Sequence, residues 1–191
     1  MNSIKGTKTE QNLLKAFAGE SQARTRYVFF AKKAREEGYM QIADIFEETA
    51  MNEKYHAEAF FKFLEGGDLE INAAYPAGKI GTTLENLKAA AMGENEEHTE
   101  LYPHFAKVAK EEGFDKVAAT FNFVAKVEKE HEERYNKLAD NIEKSKVFKK
   151  DSKTKWKCGK CGYVHEGNEA PNICPSCKYD KENFEVKAYN Y

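Results

Sequence analysis

Two halves of this chain write the same uncommon helix pair. Glu20, then Glu53 three residues ahead of His56, return as Glu94, then Glu128 three residues ahead of His131. Read at alternating spacings of four and three, the stripe carrying the first ExxH runs Ile42, Phe46, Thr49, Glu53, His56, Phe60 and Phe63. The stripe carrying the second runs Val117, Phe121, Val124, Glu128, His131, Tyr135 and Leu138. Such spacing marks one buried helix face, so each stripe is apolar at both ends and ionisable in the middle. Glu20 follows Leu13 and Phe17 in the same register, and Glu94 follows Leu87 and Ala91. Four Glu and two His thus converge on one level of a bundle interior. A single ionisable side chain on such a stripe is ordinarily a satisfied core polar group. Six are different, because an unpaired buried carboxylate costs several kcal/mol and like charges at one level repel further. Arg24 is the only basic residue on these seams, which leaves divalent or trivalent cations as the remedy. A Glu from each of two helices plus ExxH from each of the other two is the ligand pattern of di-iron and di-manganese carboxylate bundles.

Punctuation along the chain agrees with four long helices. The spacing predicts helices over about 9–37, ending at Gly38; about 40–64, ending at Gly66 and Gly67; about 83–112, ending at Gly113; and about 115–144. The stretch GGDLEINAAYPAGKIG between the second and third reads as an extended connection. Short loops within each pair and a long one between them suit an all-α four-helix bundle with one long crossover. The motif AREEGY (34–39) is echoed as AKEEGF (109–114). Glu20 and Glu94 lie 74 apart, whereas Glu53 and Glu128, His56 and His131, and Gly38 and Gly113 lie 75 apart. One residue has therefore been inserted in the third helix, between Thr99 and Tyr102. An extra residue turns a helix face by about 100°, so a bulge or wider turn has to absorb it, and Pro103 directly after it weakens the local hydrogen bonding. Glu97 matches Ala23 of the first half and offers a fifth carboxylate; His98, four residues after Glu94, is its rival. Tyr27 and Tyr102 stand at matching positions, where they can donate hydrogen bonds to ligating carboxylates.

With 30 Lys and Arg against 32 Asp and Glu, the chain is nearly neutral. Neither nucleic acid nor a membrane surface is expected as a partner. MNSIKGTKTEQNLL contains no apolar run of the secretory type, and no stretch approaches the ~20 apolar residues that span a bilayer. The expectation is a soluble cytoplasmic protein. All four cysteines fall in Cys158-x-x-Cys161 and Cys174-x-x-Cys177, which in a reducing compartment means a tetrahedral S4 metal site, for zinc or for iron. Trp156, Tyr163 and Phe184 would give so small a unit its core. The expected division is a bundle over 1–146, a lysine-rich linker over 147–154, and a small C-terminal metal-binding domain over 155–191.

Glu20 in AGESQAR, Glu53 and His56 in NEKYH, Glu94 and Glu97 in GENEE, and Glu128 and His131 in EKEH, followed by CGKCGY and CPSC, resemble the rubrerythrin family along essentially the whole chain. The resemblance implies a ferritin-like four-helix bundle holding two irons, plus a rubredoxin-like domain holding one iron on Cys158, Cys161, Cys174 and Cys177. It implies Glu20 and Glu94 as terminal ligands, Glu53 and Glu128 as bridges, His131 as ligand to the second iron, and His56 and Glu97 as alternative ligands of the other. The implied activity is a non-haem di-iron peroxidase that reduces hydrogen peroxide to water in defence against oxidative stress, with His56, Glu97, Tyr27 and Tyr102 closest to the chemistry. Implied partners are rubredoxin or an NAD(P)H-dependent reductase as electron donor and a second copy in a homodimer. A ferritin-like ferroxidase storing iron would use the same bundle residues but give the S4 unit no task; a zinc ribbon binding nucleic acid or protein is the other rival.

Overall fold

The computed structural model describes residues 3–189. Helix α1 (Lys8–Glu36) starts where the Thr7 hydroxyl accepts a hydrogen bond from the Glu10 N–H at 3.1 Å. It stops just before Gly38, which takes a φ of +80° that a side chain would strain. Helix α2 (Met40–Phe61) returns antiparallel beside it. It ends earlier than the spacing predicts: the N–H groups of Phe63 and Leu64 bond to the Phe60 and Phe61 carbonyls in a tight turn. That turn lays Phe63 and Leu64 against the lower core. The crossover over 62–82 is extended, and Tyr75 anchors it by donating to the Lys15 carbonyl at 2.9 Å across the surface of Gly19.

Thr82 and Glu85 form a reciprocal capping box at the head of α3 (Thr83–Glu96). The third long helix continues through a π-turn (Glu97–Leu101) into α4 (Tyr102–Glu111), and α5 (Asp115–Glu143) completes the bundle. The π-turn occupies the place where the repeat offset locates the inserted residue. The Tyr102 N–H reaches back five residues to the Glu97 carbonyl. By widening one turn the helix keeps Glu94 and Tyr102 on the same inward face, and both are fully buried. α1 packs on α2, and α3 and α4 pack on α5, so the duplicated halves form two antiparallel pairs.

Two apolar layers bracket the ionisable level. One contains Tyr27, Phe30, Phe46, Leu87 and Tyr135; the other contains Leu13, Phe60, Tyr102, Phe105 and Phe121. On α1 the inward position below Glu20 belongs to Ala16, which is buried, while Phe17 is half-buried and packs on Phe61.

The C-terminal unit is a three-stranded antiparallel sheet, β1 (Lys149–Cys158), β2 (Val164–Glu169) and β3 (Phe184–Val186), in the order β2-β1-β3. Trp156, Ala170 and Phe184 form its core with Cys158 and Cys174, and Tyr163 packs at its margin. The Trp156 indole donates to the Gly167 carbonyl at 3.0 Å. This unit sits on the bundle near the α1–α2 corner, where the Tyr39 and Phe148 rings stack at 6.4 Å and Gly38 lies against Glu182.

Inserting one alanine after Thr99, beyond the single extra residue the π-turn absorbs, rotates one side of the helix by about 100°, taking Tyr102 and Phe105 off the core face. The expected loss is about 3 kcal/mol or more in urea denaturation followed by circular dichroism, whereas Thr99→Ala stays within about 0.5 kcal/mol.

Candidate metal centres

Glu20 and Tyr27 come from α1, Glu53 and His56 from α2, Glu94 from α3, and Glu128 and His131 from α5. Glu53 and Glu128 stand between the two imidazoles. His56 Nδ1 lies 2.9 Å from Glu53 Oε2 and 2.9 Å from Glu128 Oε1; His131 Nδ1 lies 3.2 Å from Glu53 Oε1 and 2.8 Å from Glu128 Oε2. Glu20 approaches only His56, at 3.9 Å, and Glu94 only His131, also at 3.9 Å. The result is two overlapping four-residue nests, Glu20/Glu53/His56/Glu128 and Glu53/Glu94/Glu128/His131. In each, one ligand atom per residue lies within 4.8 Å of the others.

The donor atoms themselves test whether metal fits. Glu20 Oε2 and Glu94 Oε2 are buried without a hydrogen-bond partner among the described residues, and Glu53 Oε1, both Glu128 oxygens and His131 Nδ1, though close to the opposing imidazole or carboxylate atoms, make no contact of hydrogen-bond geometry. Buried oxygens left unpaired in this number are otherwise prohibitive, and they point into the same space. The donor set of carboxylates and imidazoles suits iron or manganese. Each tyrosine hydroxyl crosses to the other half: Tyr27 donates to Glu94 Oε1 at 2.6 Å, and Tyr102 donates to Glu20 Oε1. Burial, and then the carboxylate each one faces, raise both phenols well above their ordinary range, so they remain protonated donors.

Protons stand in for cations in the metal-free chain. Burial raises Glu20 and Glu94 well above the usual carboxylate range, reinforced by the charges of Glu128 and Glu53. Burial would lower the imidazoles, but their contacts with Glu128 and Glu53 outweigh it and lift His56 to about 10 and His131 to about 9. Glu53 shows the reciprocal: burial works upward, and His131 and His56 carry it down to about 2.

Glu97 stands outside both nests. It is half-buried and its carboxyl is raised by burial and by Glu128 and Glu53. His98 is drawn away from the centre, with Nε2 2.6 Å from Glu132 Oε2. Arg24, the cation on the seam, is exposed. The cation nearer the site is Arg26, half-buried beside Tyr27 and Gly93, whose charge opposes the rise at Glu97. Position 26 lies off the four-and-three stripe, so periodicity could not single it out; the bare surface of Gly93 was the available signal.

In the small unit the four sulfurs also lie within 4.8 Å of one another, with Cys158–Cys177 and Cys161–Cys174 at 3.7 Å. A separation of that size is the edge of a tetrahedron around an ion with metal–sulfur bonds of about 2.3 Å, and it excludes disulfides. The two knuckles share one backbone pattern. The Cys158 and Cys174 N–H groups bond to the Tyr163 and Tyr179 carbonyls, and the Gly162 and Lys178 N–H groups bond to the Cys158 and Cys174 carbonyls. Gly162 and Lys178 both take left-handed φ values, +78° and +66°.

The sequence matches the family model for rubrerythrin over residues 11–139 and that for the rubrerythrin rubredoxin-like domain over residues 156–185. It is 58% identical to Rubrerythrin-1 of Clostridium acetobutylicum and 52% identical to the rubrerythrin of Nitratidesulfovibrio vulgaris, in both cases over 100% of each chain. Among solved structures it is similar to fully reduced, all-ferrous nigerythrin, at a TM-score of 0.63 and 34% identity over 97% of this chain and 92% of the other.

Because His56 and His131 hold protons at pH 7 in the metal-free chain, a metal must displace them, and apparent affinity should rise with pH up to about 9. Cobalt(II) titrations followed by the d–d bands, apart from the cobalt–thiolate bands, should show about a tenfold gain per pH unit for each bound ion, one imidazole proton being displaced in each nest. A pH-independent affinity contradicts the assignment. The ion pairing in the metal-free chain runs the opposite way: its contribution to stability is complete below the unfolded histidine value and is lost as pH rises through 9 to 10.

Proposed function

This chain belongs to the rubrerythrin family, and on that premise we propose that it is a peroxidase reducing hydrogen peroxide to water with two electrons and two protons. The chain carries a di-iron carboxylate site in a ferritin-like bundle and a four-cysteine rubredoxin-like site for one iron, the equipment of a di-iron oxidoreductase. The observation that carries the peroxidase reading is the pairing of these two centres in one chain. A storage bundle has no use for a one-electron carrier, whereas a peroxidase must be reloaded with two electrons after each turnover.

When bound, the two irons supply the electron pair that cleaves the O–O bond, and the S4 iron returns electrons singly. The protein's own residues do the rest. Glu53 and Glu128 face both imidazoles and would hold both ions between them; Glu20 and Glu94 complete one nest each, with His56 and His131. Tyr27 and Tyr102 fix the orientation of Glu94 and Glu20 and hold protons beside the reacting oxygens. His56 and Glu97 are alternative holders of the same iron. His56 lies inside the nest and Glu97 outside it, an arrangement in which Glu97 would enter as His56 leaves. The four nest carboxylates would balance two ferrous ions, and Glu97 would add one net negative charge on entering, close to balance for so buried a site.

The small unit packs at the Met40 end of α2. From Met40 to Glu53 the helix alone spans about 20 Å at its rise per residue. That separation supports a homodimer in which one chain's S4 iron serves the other chain's di-iron pair. Rubredoxin or an NAD(P)H-dependent reductase would donate to it, in a reducing cytoplasm.

Anaerobic titration of the fully reduced, iron-loaded protein tests the reading. Oxidation of the di-iron site at about one peroxide per site, faster than with dioxygen and followed by reoxidation of the S4 chromophore, is expected. Preference for dioxygen with continued iron uptake overturns it in favour of storage, and an S4 site without chromophore points to zinc. Cys174→Ser should abolish donor-linked turnover while leaving the first oxidation intact. Tyr27→Phe and Tyr102→Phe should each lower turnover by about ten- to a hundredfold.

A further inference from the structure

A second polar cluster lies directly behind the π-turn. His98 Nε2 is 2.6 Å from Glu132 Oε2, Asn95 Nδ2 is 3.2 Å from each Glu132 oxygen, and Asn136 Nδ2 is 3.3 Å from Oε1. The His98 and Glu132 side chains are only 15% and 20% exposed. An exposed ion pair would hold little, but this one is shielded and its carboxylate is met by three donors. The cluster ties α3 through Asn95, the π-turn through His98, and α5 through Glu132 and Asn136.

Its place in the chain matters more than its strength. His98 directly follows Glu97, and Glu132 directly follows His131. The pair therefore clamps the backbone carrying the outlying carboxylate against the backbone carrying a nest histidine. That stretch of helix is weakly held by its own amides. After the Tyr102 N–H bonds to the Glu97 carbonyl, the next donor in line is missing because residue 103 is proline. The Thr99 hydroxyl also competes locally, donating to the Asn95 carbonyl at 2.6 Å. A turn with fewer backbone bonds opens more easily than regular helix unless side chains restrain it.

We infer that the His98–Glu132 clamp is a positioning device for Glu97: it pins the π-turn to α5, so that Glu97 exchanges with His56 by side-chain motion from a fixed backbone. His98 and Glu132 are positioning residues in this scheme, and the inference rests on the ligand-exchange reading of Glu97 given above.

The test uses the iron-loaded, full-length protein. Hydrogen–deuterium exchange of peptides covering 97–107 should rise about tenfold or more in His98→Ala, with the rest of α5 unchanged, and His98→Gln should restore much of the protection. In steady state His98→Ala should lower kcat about tenfold with the peroxide KM unchanged. In a Glu97→Ala background the same substitution should add nothing. Unchanged exchange in the π-turn, or an equal loss of kcat with and without Glu97, overturns the clamp. If Glu97→Ala itself has full activity, the ligand-exchange reading falls and with it the clamp's part in the reaction. Raised exchange confined to 97–107 would then identify a pin of the π-turn alone.

Discussion

Glu53 and Glu128 face the same two imidazoles across the centre of the bundle, and their repulsion has to be met locally because the layers on either side are apolar. Water cannot screen them there, and neither Arg24 nor Arg26 closes on them. What remains is positive charge placed between them, as protons on His56 and His131 or as metal. The rest of the architecture serves this arrangement. Phe46 and Tyr135 close the level on one side and Phe60 and Phe121 on the other, all fully buried, so the nests have rigid walls. Each tyrosine contributes ring area to one apolar layer and a hydroxyl to a carboxylate of the opposite half. That crossing makes the two halves interdependent: Glu94 is oriented from α1, and Glu20 from α4.

Much of this was legible because helical spacing is a strict code for buried faces. Every residue on the α5 stripe from Val117 to Leu138 is buried, and all four Glu and both His meet where the stripes place them. The one-residue slip between repeat offsets disclosed the π-turn, since an insertion in a helix that must keep both ends on one seam has few outlets. What stayed hidden depended on side-chain reach across helices, which spacing along one helix does not encode. Glu132 lies off the stripe that carries Glu128 and His131, yet it gathers His98, Asn95 and Asn136. The choice between Glu97 and His98 was open for the same reason. Arg24 had the right register and faces solvent, while Arg26 had the wrong register and reaches the slot over Gly93. The end of α2 was misplaced because Phe63 and Leu64 continue the apolar pattern while leaving the helix to reach the lower core.

The matched endings AREEGY and AKEEGF show how a duplicated element takes on a second task. Gly38 and Gly113 both adopt positive φ, and both let an antiparallel partner begin within a residue or two. Beyond that they diverge. A Cβ at Gly113 would meet nothing within 4 Å, while one at Gly38 would fall 2.7 Å from the side chain of Glu182. Positive φ favours glycine in both halves; in the first half the side chain of Glu182 from the small unit also lies over the bare glycine surface. The neighbouring Tyr39 stacks on Phe148, just ahead of β1. The α1–α2 corner is thus the seat of the rubredoxin-like unit, and its counterpart at Gly113 is left free to pack the bundle alone. Seating the S4 knuckles at this corner holds them at the far end of α2 from the nests in the same chain.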